Sequence, residues 1–534
     1  MQFFWHSLRP LSLVGFILMW VFSSYPAYAQ SISFKQAVVQ TATNDTAVFK
    51  FYQAHNFQSF WTGDTRAERA RFTALLMAFS NAAVHGLPVH KFNEKTLLSG
   101  VLAARTGKSL GKFDVNLTIE FLRYARTVHS GILVPSAVDK EIVRKVAYQD
   151  PIEILKALKA SNAEMFFKTL PPQSVEYARL LKEKKRLERA VTFGGWGSLV
   201  PGLTLTAGSK GASVVALRNR LVGMGYLRRT VSVMYDGALE NAMRIFQAAN
   251  GLFVTGIADT LTIDEINVSA SKRLMSVMVA MERERWLNRA LGDRHIIVNL
   301  ADFTTKIVDF GKVTFKTRSV IGAHDEDRRS PEFSDMMEHI VVNPSWYVPR
   351  SIILKEYLPM LQEDREAVDF LELRDDLGNV VDRADVDFNS FDEETFPYAM
   401  RQPPGTVNAL GLIKFMFPNR HNIYLHDTPA KKLFGREVRA FSHGCIRLAE
   451  PFNFAYALLE VQTPNPKLLI QAALAVEDEI QIDLQNPVPV HLIYRTAVTI
   501  PGGGLEFRRD IYGRDTNIWN ALQLEGVVLN GVTG

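Results

Sequence analysis

The chain holds one cysteine, Cys445, in the run Phe441-Ser442-His443-Gly444-Cys445-Ile446-Arg447-Leu448. A histidine, His426, stands 445 − 426 = 19 positions upstream, in Tyr424-Leu425-His426-Asp427-Thr428-Pro429. An unperturbed thiol is only a few per cent thiolate near neutral pH, so a nucleophilic cysteine needs a base or a cation beside it. Imidazole titrates near the working pH, so His426 can take the thiol proton and return one to a leaving amine. Gly444 lets the backbone pass close to a substrate with no side chain in the way. The amides of Gly444 and Cys445 can then bind a developing oxyanion, usually a large contribution in acyl transfer. Arg447 suits a substrate carboxylate, or a salt bridge that fixes the turn. Acyl transfer through a thioester is the chemistry that these residues favour.

Two other chemistries use the same residue types. Zinc takes His and Cys ligands, and His421, His426, His443 and Cys445 are close in sequence. His443 and Cys445 are separated by a single glycine, however, and no paired-cysteine spacing supports a closed site, so no metal is expected. Ser109-x-x-Lys112 and Ser269-x-x-Lys272 have the form of a serine acylase motif. Neither is accompanied by Ser-Asp-Asn or Lys-Thr-Gly, and both read as coincidence.

The elements that must position the cysteine are β-rich. Short runs such as His295–Leu300, Lys306–Phe310, Val313–Phe315, Arg318–Gly322, Ile340–Val342 and Ile423–Leu425 are separated by turn residues. His426 ends one of them. A mostly β domain is therefore predicted from about 292 to 505, interrupted by a capping insert at about 350–400 that carries Asp364, Glu366, Asp375, Asp376 and Asp385. Residues 506–534 read as a C-terminal extension.

Upstream the texture is helical. Apolar residues recur at helical spacing in Phe72-Leu75-Phe79 and Leu117-Phe121-Tyr124, giving a helical scaffold over about 30–192. After Gly194-Gly195-Trp196-Gly197, residues 203–269 hold three short helices. The first carries Val214, Leu217, Leu221 and Met224, the second Leu239 to Ala249, and Thr262-Ile263-Asp264-Glu265 has the form of a capping box opening the third. Met275 to Leu287, with Glu282-Arg283-Glu284-Arg285, is a charged lead-in helix. The fold class is thus multidomain α+β.

Residues 1–29 pair an acid-free start, an apolar core from Leu13 to Phe22, and Ala27-Tyr28-Ala29, the order of a signal peptide cleaved after Ala29. The apolar run is short for a membrane span. Export with one cysteine excludes an internal disulfide and makes a reactive thiol the sharper reading. Of 534 residues 47% are hydrophobic and 22% charged, which fits neither disorder nor a membrane bundle. The formal charge of +5 is scattered, so nucleic acid is not an expected partner.

The His, gap, Ser-His-Gly-Cys pattern resembles the active-site motif of the L,D-transpeptidase family, whose catalytic domain is the YkuD type. Asn343-Pro344-x-Trp346-x-x-Pro349, Arg401-Gln402-x-Pro404-Gly405-x-x-Asn408-Ala409-Leu410-Gly411 and Lys414-Phe415-x-Phe417-Pro418-Asn419 are similar to the large Gram-negative members. The 203–269 segment resembles the peptidoglycan-binding module found beside many wall enzymes. The resemblance implies Cys445 as nucleophile, His426 as base, and the Ser442 to Cys445 turn as oxyanion site, with His443 shaping the pocket. Ser442, Arg447 and Tyr424 fall among the substrate-binding residues. It further implies a periplasmic enzyme that needs no cofactor, acts on peptidoglycan stem peptides and glycan strands, works beside other cell-wall synthesis enzymes, and is acylated by carbapenems. The implied reaction is 3–3 crosslinking of diaminopimelate stems with release of D-alanine. Resolution of the same thioester by water or by a lipoprotein lysine, and a non-enzymatic wall-binding scaffold, are the alternatives. Oligomeric state is not legible.

Overall fold

Leu110, Leu117, Phe121, Tyr124 and Val128 lie on one stripe of the 24-residue helix Gly107–Ser130 and are all buried. Spacings of three, four and seven put them on one face, so the helix can seat only by burying that stripe against its neighbours. In the computed structural model, which describes residues 31–529, it forms the spine of the helical scaffold, with Ile32–Ala42 packed along it. The segment read as a signal peptide lies outside the described residues. Ser109 belongs to the capping box that opens the spine helix, exchanging hydrogen bonds with Thr106. Ser269 caps Ala270–Trp286, its hydroxyl accepting from the Lys272 amide at 3.1 Å. Both Ser-x-x-Lys sequences are thus helix starts, because a serine there satisfies an otherwise orphaned amide.

The three-helix module follows as Ala212–Met224, Gly237–Ala249 and Thr260–Asn267. The third helix begins earlier than the capping-box reading of Thr262 had it. Asp259 is the cap, accepting from the Thr262 amide at 2.8 Å, so Thr262 already lies inside the helix. A charged acceptor one turn upstream outcompetes a hydroxyl for the orphaned amides.

Ala270–Trp286 is more than a lead-in. All four of Glu282, Arg283, Glu284 and Arg285 are buried, each tied to a different part of the chain. Glu282 accepts from the Ile132 and Leu133 amides of the scaffold, at 2.6 and 2.9 Å. Arg283 pairs with Glu332 of the β domain at 2.7 Å and with Asp515 at 3.2 Å. Glu284 accepts from Ser174 at 3.0 Å and pairs with Arg495. Arg285 donates to the Tyr177 hydroxyl at 3.2 Å. Buried charges need partners, and here the partners come from separate domains, so the helix clamps them together.

The β domain contains strands β1 (Arg294–Asn299), β2 (Thr304–Asp309), β3 (Lys312–Gly322) and β4 (Ser334–Val342). The cap then inserts β5 (Trp346–Tyr347), β6 (Glu372–Arg374), β7 (Val380–Val381) and β8 (Ala399–Gln402). Strands β9 (Ile413–Met416), β10 (Leu425–His426), β11 (Ala440–Ser442), β12 (Ile446–Leu448) and β13 (Ile480–Ile493) return to the main sheet, whose order is β11-β3-β12-β10-β9-β4-β13-β1-β2. A further pairing of β2 with β3 closes eight of these strands into a barrel and leaves β11 attached to β3 alone. Closure removes the exposed sheet edges and encloses a core that includes Ile296, Ile340, Phe415, Leu425, Ile446 and Leu492. The cap has its own four-stranded sheet, β5-β8-β6-β7, over an apolar cluster that includes Ile353, Leu361 and Phe396.

The C-terminal residues are built in. β14 (Ala497–Thr499) and β15 (Leu505–Phe507) form a hairpin, and the helix Arg514–Leu524 packs its Ile518, Trp519 and Leu522 against the clamp helix. Arg514 is wholly buried. It pairs with Glu141 of the scaffold at 2.8 Å and Glu332 of the barrel at 3.5 Å, and donates to the Ser330 carbonyl at 2.9 Å. Removing one partner of a buried ion pair strands the other charge, so Arg514→Ala is expected to cost about 3–5 kcal/mol, read as a lower urea midpoint. A surface-like loss below about 1 kcal/mol would show that the network does not hold the domains together.

Candidate active site

Strands β10 and β12 run parallel, with Leu425 opposite Ile446 and His426 opposite Arg447. The Ile446 amide donates to the Tyr424 carbonyl at 3.0 Å, which carries the register back one step and sets Tyr424 across from Cys445. Leu425 and Ile446 point into the barrel core, so alternation sends Tyr424, His426, Cys445 and Arg447 to the other face. The four form a square there. The tyrosine faces the thiol, the arginine faces the imidazole, and the histidine is diagonal to the cysteine. The Tyr424 and His426 rings pack edge to face at 5.6 Å.

Burial sets the electrostatics. It raises the half-buried Cys445 thiol to about 11, against backbone and side-chain hydrogen bonds from Tyr424 and the Arg447 charge, which pull it down. Burial, then the Arg447 charge, lowers His426 to about 3, with backbone groups of Asp427 and Leu410 opposing. The resting pair is therefore thiol and neutral imidazole. His426 Nδ1 is buried and has no hydrogen-bond partner among the described residues, which leaves it free to accept a proton. Arg447 Nε is likewise buried and unpartnered. The thiol meets the Asn422 carbonyl at 3.5 Å.

Backbone geometry explains the turn. Gly444 has φ +110°, and a Cβ there would stand 3.0 Å from Ile423 Cδ1, so only glycine fits without strain. Ser330 Oγ donates to the Gly444 carbonyl at 2.6 Å. Ser442 is buried. Its hydroxyl donates to the Cys445 carbonyl at 2.5 Å and accepts from the Gly444 amide at 3.2 Å. That arrangement makes Ser442 a tie inside the turn. It also occupies the Gly444 amide, one of the two expected oxyanion donors. His443 is partly exposed and faces the cap, with Nε2 2.7 Å from Glu356 Oε1. Among the described residues, no group of three His, Cys, Asp or Glu side chains is placed to hold a metal ion.

Residues 293–465 match the family model of the L,D-transpeptidase catalytic domain, and the square lies inside that match. Most of the barrel thus matches the L,D-transpeptidase catalytic-domain family. Residues 46–183 match a scaffold domain, and residues 210–266 a "Putative peptidoglycan binding domain". The chain is 34% identical over 244 residues to a Haemophilus influenzae protein named "Putative L,D-transpeptidase", covering 45% of this chain and 48% of that one. It thus spans about half the length of that curated relative. Among solved structures, the L,D-transpeptidase of Xylanimonas cellulosilytica (residues 123–326) is 14% identical with a TM-score of 0.16, over 55% of this chain and 98% of that one. A fused zinc-dependent amidase/peptidase/peptidoglycan-binding domain protein of Clostridium acetobutylicum is 13% identical with a TM-score of 0.15, over 55% and 99%.

Several residues that shape this site had no role assigned to them from sequence. Asp427 is buried beside His426, accepts from the Leu412 amide at 3.1 Å and pairs with Lys431, fixing the loop against the imidazole. Asn419 donates to the Phe417 and Ile423 carbonyls at 2.6 and 2.7 Å and so shapes the bend that delivers Asn422 to the thiol. Ser330 and Glu356 reach the turn from 114 and 87 positions away. Asp427 and Asn419 stand inside quoted stretches, but Ser330 and Glu356 become neighbours only through folding.

Three histidines make the fold acid-sensitive. His426 is lowered to about 3, and His85 and His491 to about 4, all chiefly by burial, from an ordinary 6.5. A depressed value contributes stability above pH 6.5 that is lost as pH falls toward the folded value. At pH 5 each histidine costs about 2 kcal/mol. Asp515, raised by burial to about 6, works in the opposite direction over the same interval. Urea unfolding should show a net loss of about 4 kcal/mol between pH 7 and pH 5. Unchanged stability over that interval would refute the assignment of neutral buried imidazoles.

Proposed function

We propose that the protein is an exported cell-wall enzyme that forms 3–3 crosslinks in peptidoglycan through a thioester on Cys445. The observation that carries this reading is the unpartnered, buried Nδ1 of His426 on the same sheet face as the only cysteine. His426 takes the thiol proton as sulfur attacks the carbonyl of the third stem residue, a diaminopimelate. The bond to the terminal D-alanine breaks, and the proton passes to the leaving amine. The side-chain amine of a neighbouring diaminopimelate then attacks the thioester, forming the new amide and returning the thiol. The amide of Cys445 is the donor best placed for the oxyanion, since Ser442 already engages that of Gly444. Arg447, charged and beside both reacting groups, supports the sulfur anion as it forms. The peptidoglycan-binding-family module and the exposed cap supply the means of holding a polymeric substrate near the thiol.

Incubation with defined tetrapeptide muropeptides, followed by mass spectrometry, tests the reaction. The expected product is a dimer lighter by one D-alanine than two monomers. A tripeptide monomer alone would assign a carboxypeptidase instead. Absence of any product with a reactive thiol intact would remove stem peptides as substrate.

A further inference from the structure

The catalytic turn is gripped from outside the barrel. Glu356 Oε1 stands 2.7 Å from His443 Nε2 and 3.1 Å from an Arg328 guanidinium nitrogen, so one carboxylate oxygen joins three segments. Glu356 belongs to the cap and lies in a π-helical turn, Ile353–Tyr357, set between Arg350–Ile352 and Leu358–Glu363. Such turns insert an extra residue into a helix and recur at functional positions. Arg328 ends the short helical turn Glu326–Arg328, whose continuation abuts the glycine of the turn. A Cβ on Gly444 would lie 3.7 and 3.9 Å from the Arg329 and Arg328 carbonyls. Ser330, two residues on from Arg328, donates to the Gly444 carbonyl. Cap, loop and catalytic turn therefore meet at one carboxylate. A second cap-to-loop pair, Lys355 with Asp327 at 3.1 Å, sits beside it, over half exposed on both sides, and does not touch the turn.

We propose that Glu356 is a positioning residue for acyl transfer at Cys445. It holds the His443 ring with Nε2 as donor, and through that ring the conformation of the turn that presents the thiol. Seating of the cap on the barrel and competence of the nucleophile are then a single event. The inference rests on the acyl-transfer reading of Cys445.

The test is acylation of the full chain by a carbapenem, followed by intact-protein mass spectrometry across drug concentrations. Glu356→Ala lowers the maximal acylation rate about 10- to 100-fold, with little change in the concentration giving half that rate, because misplacement of a reacting group acts on the chemical step. Glu356→Gln, which keeps an acceptor oxygen, restores most of the rate. His443→Asn causes a loss like that of Glu356→Ala, and combining the two adds nothing, as two members of one contact require. Lys355→Ala stays within about twofold of the parent, since an exposed pair contributes little. The proposal is overturned if Glu356→Ala acylates at the parent rate, if the two losses multiply, or if Lys355→Ala matches Glu356→Ala. A parent chain that takes no drug at Cys445 refutes the acyl-transfer reading itself, and this inference falls with it.

Discussion

Cys445→Ala will have no measurable turnover of tetrapeptide stems and will take up no carbapenem, while unfolding at nearly the parental temperature. The square otherwise holds a phenol that burial pushes well above its ordinary pKa, the imidazole needed as base, and a guanidinium, so the thiol is the nucleophile of the four. Removing the nucleophile therefore leaves binding without chemistry. The fold should tolerate the change. The substitution deletes one heavy atom, uncharged at neutral pH, from a half-buried site, for about 1 kcal/mol. Muropeptide analysis and intact mass give the first two readouts, and thermal unfolding the third. Drug adducts of equal yield in parent and variant would place the nucleophile elsewhere.

His426→Ala slows acylation of Cys445 by about 10²–10⁴-fold, the usual worth of a direct general base. The pH dependence carries the sharper signature. With His426 lowered to about 3 and the thiol raised to about 11, neither group changes protonation between pH 5 and 9 in the resting enzyme. The parental acylation rate should then cross pH 6.5 without the falling acidic limb of an ordinary histidine. Alkylation of the free thiol by iodoacetamide separates the neighbours. Arg447 and Tyr424 pull the thiol pKa down, whereas no such pull comes from His426. Arg447→Met should move that titration upward, and His426→Ala should leave it nearly in place. A shift produced by His426→Ala alone would mean a preformed thiolate–imidazolium pair instead of a neutral one.

The proposed chemistry was legible because its residues stand in short stretches. A cysteine, a glycine one position before it and a histidine nineteen before it carry their roles in residue type and spacing, and β alternation then puts His426 and Cys445 on one face. The helices of the scaffold and the module were equally local, since an apolar stripe at helical spacing is a property of contiguous residues. Other features had no local signal. Glu282 to Arg285 looked like a solvated charged face, yet each side chain is buried against partners roughly 50 to 230 positions away in another domain, the Glu282–Arg285 pair apart. Arg514 lay in what read as an extension, and folding places it wholly inside, against scaffold and barrel together. Ser442 has the residue type of a substrate contact, but its hydroxyl is used within the turn, which depends on where the backbone of Cys445 comes round. Glu356 and Ser330 reach the active turn through cap and loop. Hydrogen bonds and ion pairs act over about 3 Å of space whatever the separation along the chain, so sequence announces them only when chain neighbours are also spatial neighbours. Residue identity and spacing determined the proposed reaction class and the elements that carry it. Only tertiary packing decided which charges are buried, what each faces, and how the turn that bears the thiol is held.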